Sequence, residues 1–268
     1  MAPRQNEGVR AASGAYRLMF GLLGTMADLT ARGHHTLNGR LFDCGSYLRL
    51  YRELITRELS GSGYILHLGS GDGISLGRTK EISSPDSRFV CVDIDSQSIE
   101  KNPARLRVMA DAAALPFKDG FFQALCSEHL LEHLASPLGV FRESRRVLRD
   151  GGHFIFAAPH GWSYIALAAR VVPLKLREGF VSFASGIHGG RRHFPTYYRA
   201  NSPFAIRRLA HKSGFVVERV EGFVGEPRYT LALPVVHLIA IAWHKILEVF
   251  GLQRVVGLTL VGSLVKRK

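Results

Sequence analysis

Two hydrophobic rhythms alternate along residues 60–225. Short apolar runs stand at 64–68 (YILHL), 89–93 (FVCVD), 105–109 (RLRVM), 122–127 (FQALCS), 153–158 (HFIFAA) and 215–220 (FVVERV). Several are almost continuously apolar, as strands covered on both faces tend to be. Between them lie stretches with apolar residues at three- and four-residue spacing. One is PLGVFRESRRVLR at 137–149, closed by Asp150-Gly151-Gly152. Strand–helix alternation predicts right-handed crossovers and a parallel sheet with helices on both faces. Upstream, 15–31 and 46–59 carry helical periodicity, SGSG at 60–63 ends the second, and 1–12 read as disordered. The expected division is an N-terminal helical segment, 1–60, and a larger domain, 61–268.

The first strand run feeds directly into Gly69-Ser70-Gly71-Asp72-Gly73, and a helix is expected to follow. At a strand-to-helix turn, glycine permits positive φ and lets a ligand approach the backbone at the carboxyl edge of the sheet. The spacing is G-x-G-x-G, because Ile74 stands where a dinucleotide fingerprint has its third glycine. Such a pattern is weak alone, so the later strand ends decide. The second strand ends in VCVDID. Asp93 lies 20 residues past Gly73, where a carboxylate can accept both hydroxyls of a ribose. The third leads into MADAAALPF, with Asp111 placed for an adenine amino group.

With these motifs in order, the chain resembles the class I S-adenosylmethionine-dependent methyltransferases, in the type-11-like group with small-molecule members. The resemblance covers about residues 61–225 and rests on HLGSGDG, CVDID, ADAAALPF, SEHLLEHL and RVLRDGGHFIFAAP. It implies a Rossmann-like, seven-stranded, mostly parallel sheet whose last strand, within VVGLTLVGSLVKRK, runs antiparallel. It also implies S-adenosyl-L-methionine as cofactor. His67, Gly69, Ser70 and Gly71 would lie by the methionine portion, and Asp93 would hold the ribose. Ile94 would pack on adenine, Asp111 and Ala112 would meet its edge, and Ser127 and Glu128 would lie near the reactive methyl. The chain departs from the family at His67, often acidic, and at Gln123, often aspartate.

Methyl transfer asks a site to align acceptor, methyl and sulfur and to exclude water. A hydroxyl acceptor also needs a base. His160 in APHGW and His129 in SEHLLEHL are the candidates, both at strand ends. His129 and His133 would share a helix face at i and i+4, but no third ligand accompanies them, so no metal site is expected. Arg191 and Arg192, between His188 and His193, could meet an anionic acceptor or face solvent.

The charge of +13 is uneven: residues 151–268 hold 16 basic and 5 acidic side chains. This suits a phosphate-bearing or membrane-surface partner. Three sparse cysteines, Cys44, Cys91 and Cys126, suggest free thiols in a cytoplasmic protein. The segment YTLALPVVHLIAIAWHKILEVFG, 229–251, reads as a hydrophobic helical insertion (226–256) before the last strand. It is too short to span a bilayer. It could lie on the inner membrane face, line a lipophilic pocket or pack in the core. The reading that follows is methyl transfer to a small-molecule acceptor, lipophilic, anionic or lipid/glycan-linked. Nucleic-acid methylation is the rival, but no NPPY-type tetrapeptide follows the fourth strand. A non-catalytic, cofactor-binding partner protein at a membrane is the other. Oligomeric state has no sequence signal.

Overall fold

The computed structural model describes residues 46–73, 88–164, 166–167, 194–225 and 234–268. The helices expected over 15–31 and after residue 73 lie outside them, as do His188, Arg191, Arg192 and His193. In chain order the elements are α1 (Ser46–Leu59), β1 (Ile65–Leu68), β2 (Phe89–Asp93), α2 (Ser96–Lys101), β3 (Leu106–Met109) and β4 (Phe122–Glu128). A 3-10 turn (Leu131–His133), α3 (Pro137–Val147), β5 (Leu148–Pro159), α4 (Pro203–Ser213) and β6 (Phe215–Phe223) follow. Last come α5 (Pro234–Val249), α6 (Gln253–Val256) and β7 (Thr259–Lys266).

The seven strands form one sheet in the order β3-β2-β1-β4-β5-β7-β6. Strands β1 to β5 pair in parallel, and β7 runs antiparallel to both β5 and β6. The order reverses between β1 and β4, so a crevice opens at the carboxyl ends of these strands. The fold expected from the motifs is therefore the fold found, including the antiparallel last strand.

Leu66, Leu68, Val90, Val92, Leu125, Phe154 and Phe156 fill one core with Phe141 of α3 and Ile206 of α4. Ile65, Phe89, Cys91, Cys126 and Ile155 fill a second with Leu50, Tyr51, Leu54 and Ile55, the apolar stripe of α1. Burial pushes the Cys91 thiol up to about 12 and Cys126 higher still, so both are inert thiols. Gln123 accepts from Gly63 N at 2.8 Å and donates to the Glu58 carbonyl, tying β4 to the end of α1. This is a structural reason for glutamine where the family often has aspartate. Ser202 caps α4 by accepting from Ala205 N (3.2 Å), with Pro203 in its first turn and Gly214 (φ 80°) at its end.

Two elements differ from the pattern reading. Asp150-Gly151-Gly152 does not merely end a helix. Gly151 takes φ 77°, and the register shifts between Phe122 and Ala124, so β5 begins at Leu148 through an irregularity. In SEHLLEHL the helix shrinks to one 3-10 turn, and His129 sits outside it at φ 59°. His129 and His133 thus share no helix face.

The chain divides into two compact units. The larger, Gly45–Ala168, His193–Gly225 and Leu247–Lys268, holds the whole sheet. The smaller comprises Met1–Cys44, Ala169–Arg192 and Glu226–Ile246, and its described part is Pro234–Ile246 of α5.

Candidate functional site at the carboxyl edge of the sheet

Strand β1 stops at Leu68 because the next five residues turn on three left-handed glycines: Gly69 (φ 65°), Gly71 (φ 53°) and Gly73 (φ 80°). They are not equivalent. A Cβ on Gly69 would stand 2.9 Å from Leu130 Cδ1, and one on Gly73 would stand 2.5 Å from Pro103 Cδ. The protein itself excludes side chains there. A Cβ on Gly71 would meet no protein atom within 4 Å. Of the three, only Gly71 presents its open side to free space, where a ligand could approach the backbone.

The turn is fastened from three sides. Ser70 donates from its backbone N (3.1 Å) and its hydroxyl (3.3 Å) to the Val92 carbonyl. Gly71 N donates to Asp93 Oδ2 at 2.7 Å, while Asp93 Oδ1 accepts from Asp95 N at 2.9 Å. Asn102, fully buried, donates to the Gly71 carbonyl at 2.9 Å and accepts from Ala104 N at 3.0 Å. Sequence reasoning missed Asn102, since Asn-Pro after a short helix reads as a stop signal.

Asp93 ends β2 and pairs in register with Met109 of β3, and Ala110 N donates to the Asp93 carbonyl at 3.0 Å. This brings Asp93, Ile94 and the Asp111 loop together. Ile94 is 64% exposed, an uncommon degree for isoleucine and suited to a flat apolar ligand group. Asp111 is exposed, with Oδ1 accepting from Ala113 N at 2.8 Å; Ala112 is half-buried. The loop is set by α3: Glu143 accepts from Leu115 N (2.7 Å), and Arg146 donates to the carbonyls of Leu115 (3.0 Å) and Phe117 (2.7 Å). Arg146 also bonds Glu143 and holds that carboxyl below its usual range. Neither Glu143 nor Arg146 was legible as a positioning residue.

At the β4 end, Ser127 pairs with Leu68 and is fully buried, its hydroxyl without a partner among the described residues. His129 follows, with its N donating to the Ala157 carbonyl at 2.9 Å. Its side chain is 54% exposed, and Nδ1 lies 3.3 Å from Glu132 Oε1. A non-glycine residue at positive φ, oriented by a buried carboxylate beside a crevice, is a recurring feature of reactive sites. The Glu132 carbonyl accepts from Tyr197 N (2.7 Å) and Tyr198 N (3.2 Å), and His133 Nδ1 stands 2.9 Å from the Pro195 carbonyl. These contacts tie the 3-10 turn to the segment 195–198.

The other two histidines lie deeper. His160, after β5, has no exposed surface, and its Nδ1 accepts from Trp162 N at 3.1 Å. Burial lowers its pKa, against an opposing contribution from the Arg254 backbone. His67 sits within β1 between Cys91 and Cys126, with Nδ1 unpartnered among the described residues. Burial lowers its pKa to about 4, so it is neutral. Of the two base candidates, only His129 faces the exterior. Among the described residues, no group of His, Cys, Asp or Glu is arranged to hold a metal ion.

Residues 66–156 match the family described as a methyltransferase domain. The chain is 32% identical over 158 residues to an uncharacterized 37.1 kDa protein in transposon TN4556 of Streptomyces fradiae, covering 49% of this chain and 46% of that protein. It is 33% identical over 100 residues to the malonyl-[acyl-carrier protein] O-methyltransferase of Geobacter sulfurreducens, covering 35% of this chain and 37% of that one. The matched part therefore spans less than half of these curated relatives. In fold it resembles a SAM-dependent methyltransferase from Archaeoglobus fulgidus, with TM-score 0.53, 17% identity, and 82% and 93% of the two chains covered.

Proposed function

We propose that this chain is a class I S-adenosylmethionine-dependent methyltransferase that moves a methyl group from S-adenosylmethionine to a small-molecule acceptor. The observation that carries the reading is the pairing of Gly71 with Asp93. One glycine leaves open space above the turn, and the carboxylate beside it is already oriented by two backbone donors. Each Asp93 oxygen retains a second lone pair for a ribose hydroxyl. Ile94 offers an apolar platform for adenine, and Asp111 with Ala112 marks the adenine edge. Gly69, Ser70 and Gly71 would pass under the methionine portion, with Ser127 nearby. His67 is enclosed in β1, so its part is to shape the floor rather than to bind as a cation.

The bound cofactor supplies an electrophilic methyl on a sulfonium, already a good leaving group. The protein's share is alignment and, for a hydroxyl acceptor, removal of a proton. We assign that proton to His129 Nε2, with Glu132 accepting from Nδ1–H and fixing the tautomer. His160 is enclosed and ranks second. The acceptor is lipophilic in this reading, because α5 carries a broad apolar face. Calorimetric titration with S-adenosylmethionine tests the cofactor assignment: no binding by folded protein would sink it. Mass spectrometry of cell extracts incubated with isotopically labelled S-adenosylmethionine identifies the acceptor.

A further inference from the structure

Helix α5, PVVHLIAIAWHKILEV, encloses two histidines and turns most of its apolar side chains outward. His237 and His244 are buried, together with Ile241 and Leu247. His237, His244, Lys245 and Glu248 all interact with other groups of the chain. Meanwhile Val235, Leu238, Ile239, Trp243, Ile246 and Val249 are each 46% to 79% exposed. At 100° per residue, these exposed positions, with Val236 and Ala242, fill an arc of roughly 160°. No polar side chain falls within it, and Lys245 lies at its edge. Phe250, Leu252 and Val255 prolong the exposed apolar series along the chain at 70%, 44% and 61%. A helix packed on a core in water shows the opposite arrangement, and a contiguous outward apolar patch marks a contact surface.

We infer that this face of α5 seats the protein on an anionic lipid surface, with Trp243 and the aliphatic side chains entering the boundary between headgroups and acyl chains. Sixteen residues extend about 24 Å along the axis. No helix among the described residues is long and apolar enough to cross a membrane, so α5 would lie in the interface. Charge selects lipid over a second copy of the chain. The protein carries +13, and its last 118 residues hold 16 basic against 5 acidic side chains. Two such surfaces repel, whereas anionic headgroups attract. The inference goes beyond the methyl-transfer reading, and it fits an acceptor dissolved in the same lipid.

The test uses the full chain with vesicles of phosphatidylcholine, with and without phosphatidylglycerol. Wild type should co-sediment with the anionic vesicles, more weakly with neutral ones, and high salt should reduce binding only in part. Leu238→Asp/Ile246→Asp should lower partitioning on the order of a hundredfold or more, since two buried aliphatic contacts are lost. Its cofactor titration should match wild type, so failure here and failure of the methyltransferase reading are separable. In a Trp162→Phe background, Trp243 fluorescence should shift to the blue on anionic vesicles; this readout holds even if the double variant misfolds. Absence of sedimentation and of the blue shift overturns the inference. So does unchanged binding of the double variant. Light scattering that shows a dimer lost in that variant would assign the face to a second copy instead.

Discussion

Asp93→Ala separates two tasks of one carboxylate. In the structure each oxygen holds a backbone donor, Gly71 N at 2.7 Å and Asp95 N at 2.9 Å. In the proposed complex the same oxygens also accept from the ribose. Hydrogen bonds to a charged group contribute about 1.5–3 kcal/mol each when the partner is left unpaired. Asp93 is only half-buried, so water recovers part of this. Loss of one to two ribose bonds should raise the dissociation constant for S-adenosylmethionine roughly tenfold to several hundredfold. Release of Gly71 and Asp95 should cost about 1–3 kcal/mol of stability, a fall in Tm of about 2–10 °C for a domain of this size. Titration calorimetry measures the first and a thermal melt without ligand the second. Asp93→Asn, which keeps one acceptor oxygen, should fall between. Unchanged affinity in a folded Asp93→Ala protein would remove Asp93 from the ribose role. Unchanged Tm with weakened affinity would show that the turn does not rely on the clamp.

Three further outcomes follow from the same site. Gly71→Val should abolish cofactor binding by filling the open side, with a stability cost of about 1–2 kcal/mol for a side chain at positive φ. Gly73→Ala, whose Cβ meets Pro103, should lose more stability, and differential scanning calorimetry orders the two. His129→Gln should lower turnover on a hydroxyl acceptor by roughly 10²–10⁴ and remove the ascending limb of the pH–rate profile. Glu132→Gln should reduce kcat with cofactor affinity kept, while Glu132→Asp restores part of it; an unaltered pH profile in both variants would exclude the pair. His67 is neutral in the fold, with a pKa of about 4 against about 6.5 when unfolded. The unfolded state therefore takes up the extra proton, and stability falls as pH drops from about 6.5 to 4, by about 2 kcal/mol at pH 5. Urea unfolding at pH 7 and 5 measures this, and His67→Leu should flatten the difference; buried His160, lowered too, adds in the same direction.

What could be read in the chain was whatever repeats or punctuates. The apolar runs located six strands, and the ordered strand ends placed Asp93, Ile94 and Asp111 side by side. What escaped was set by contacts distant in sequence. Asn102 locks the glycine turn from 31 positions away, and Glu143 and Arg146 set the Asp111 loop from another helix. His160 and His129 are both strand-end histidines in sequence, and only the packing around them leaves one enclosed and the other facing out. Helix α5 shows the limit most sharply. Its wheel separates an apolar arc from His237, His244 and Glu248, and periodicity alone cannot tell which arc the chain turns inward. Ordinary burial would put the apolar arc inside. Here both histidines are enclosed with Ile241 and Leu247, while Trp243 and most of the apolar arc stay outside. Exposed apolar area costs about 25 cal/mol per Å² in water. An outward apolar face of this breadth therefore stores a driving force for association, which the proposed seat on an anionic lipid surface would use.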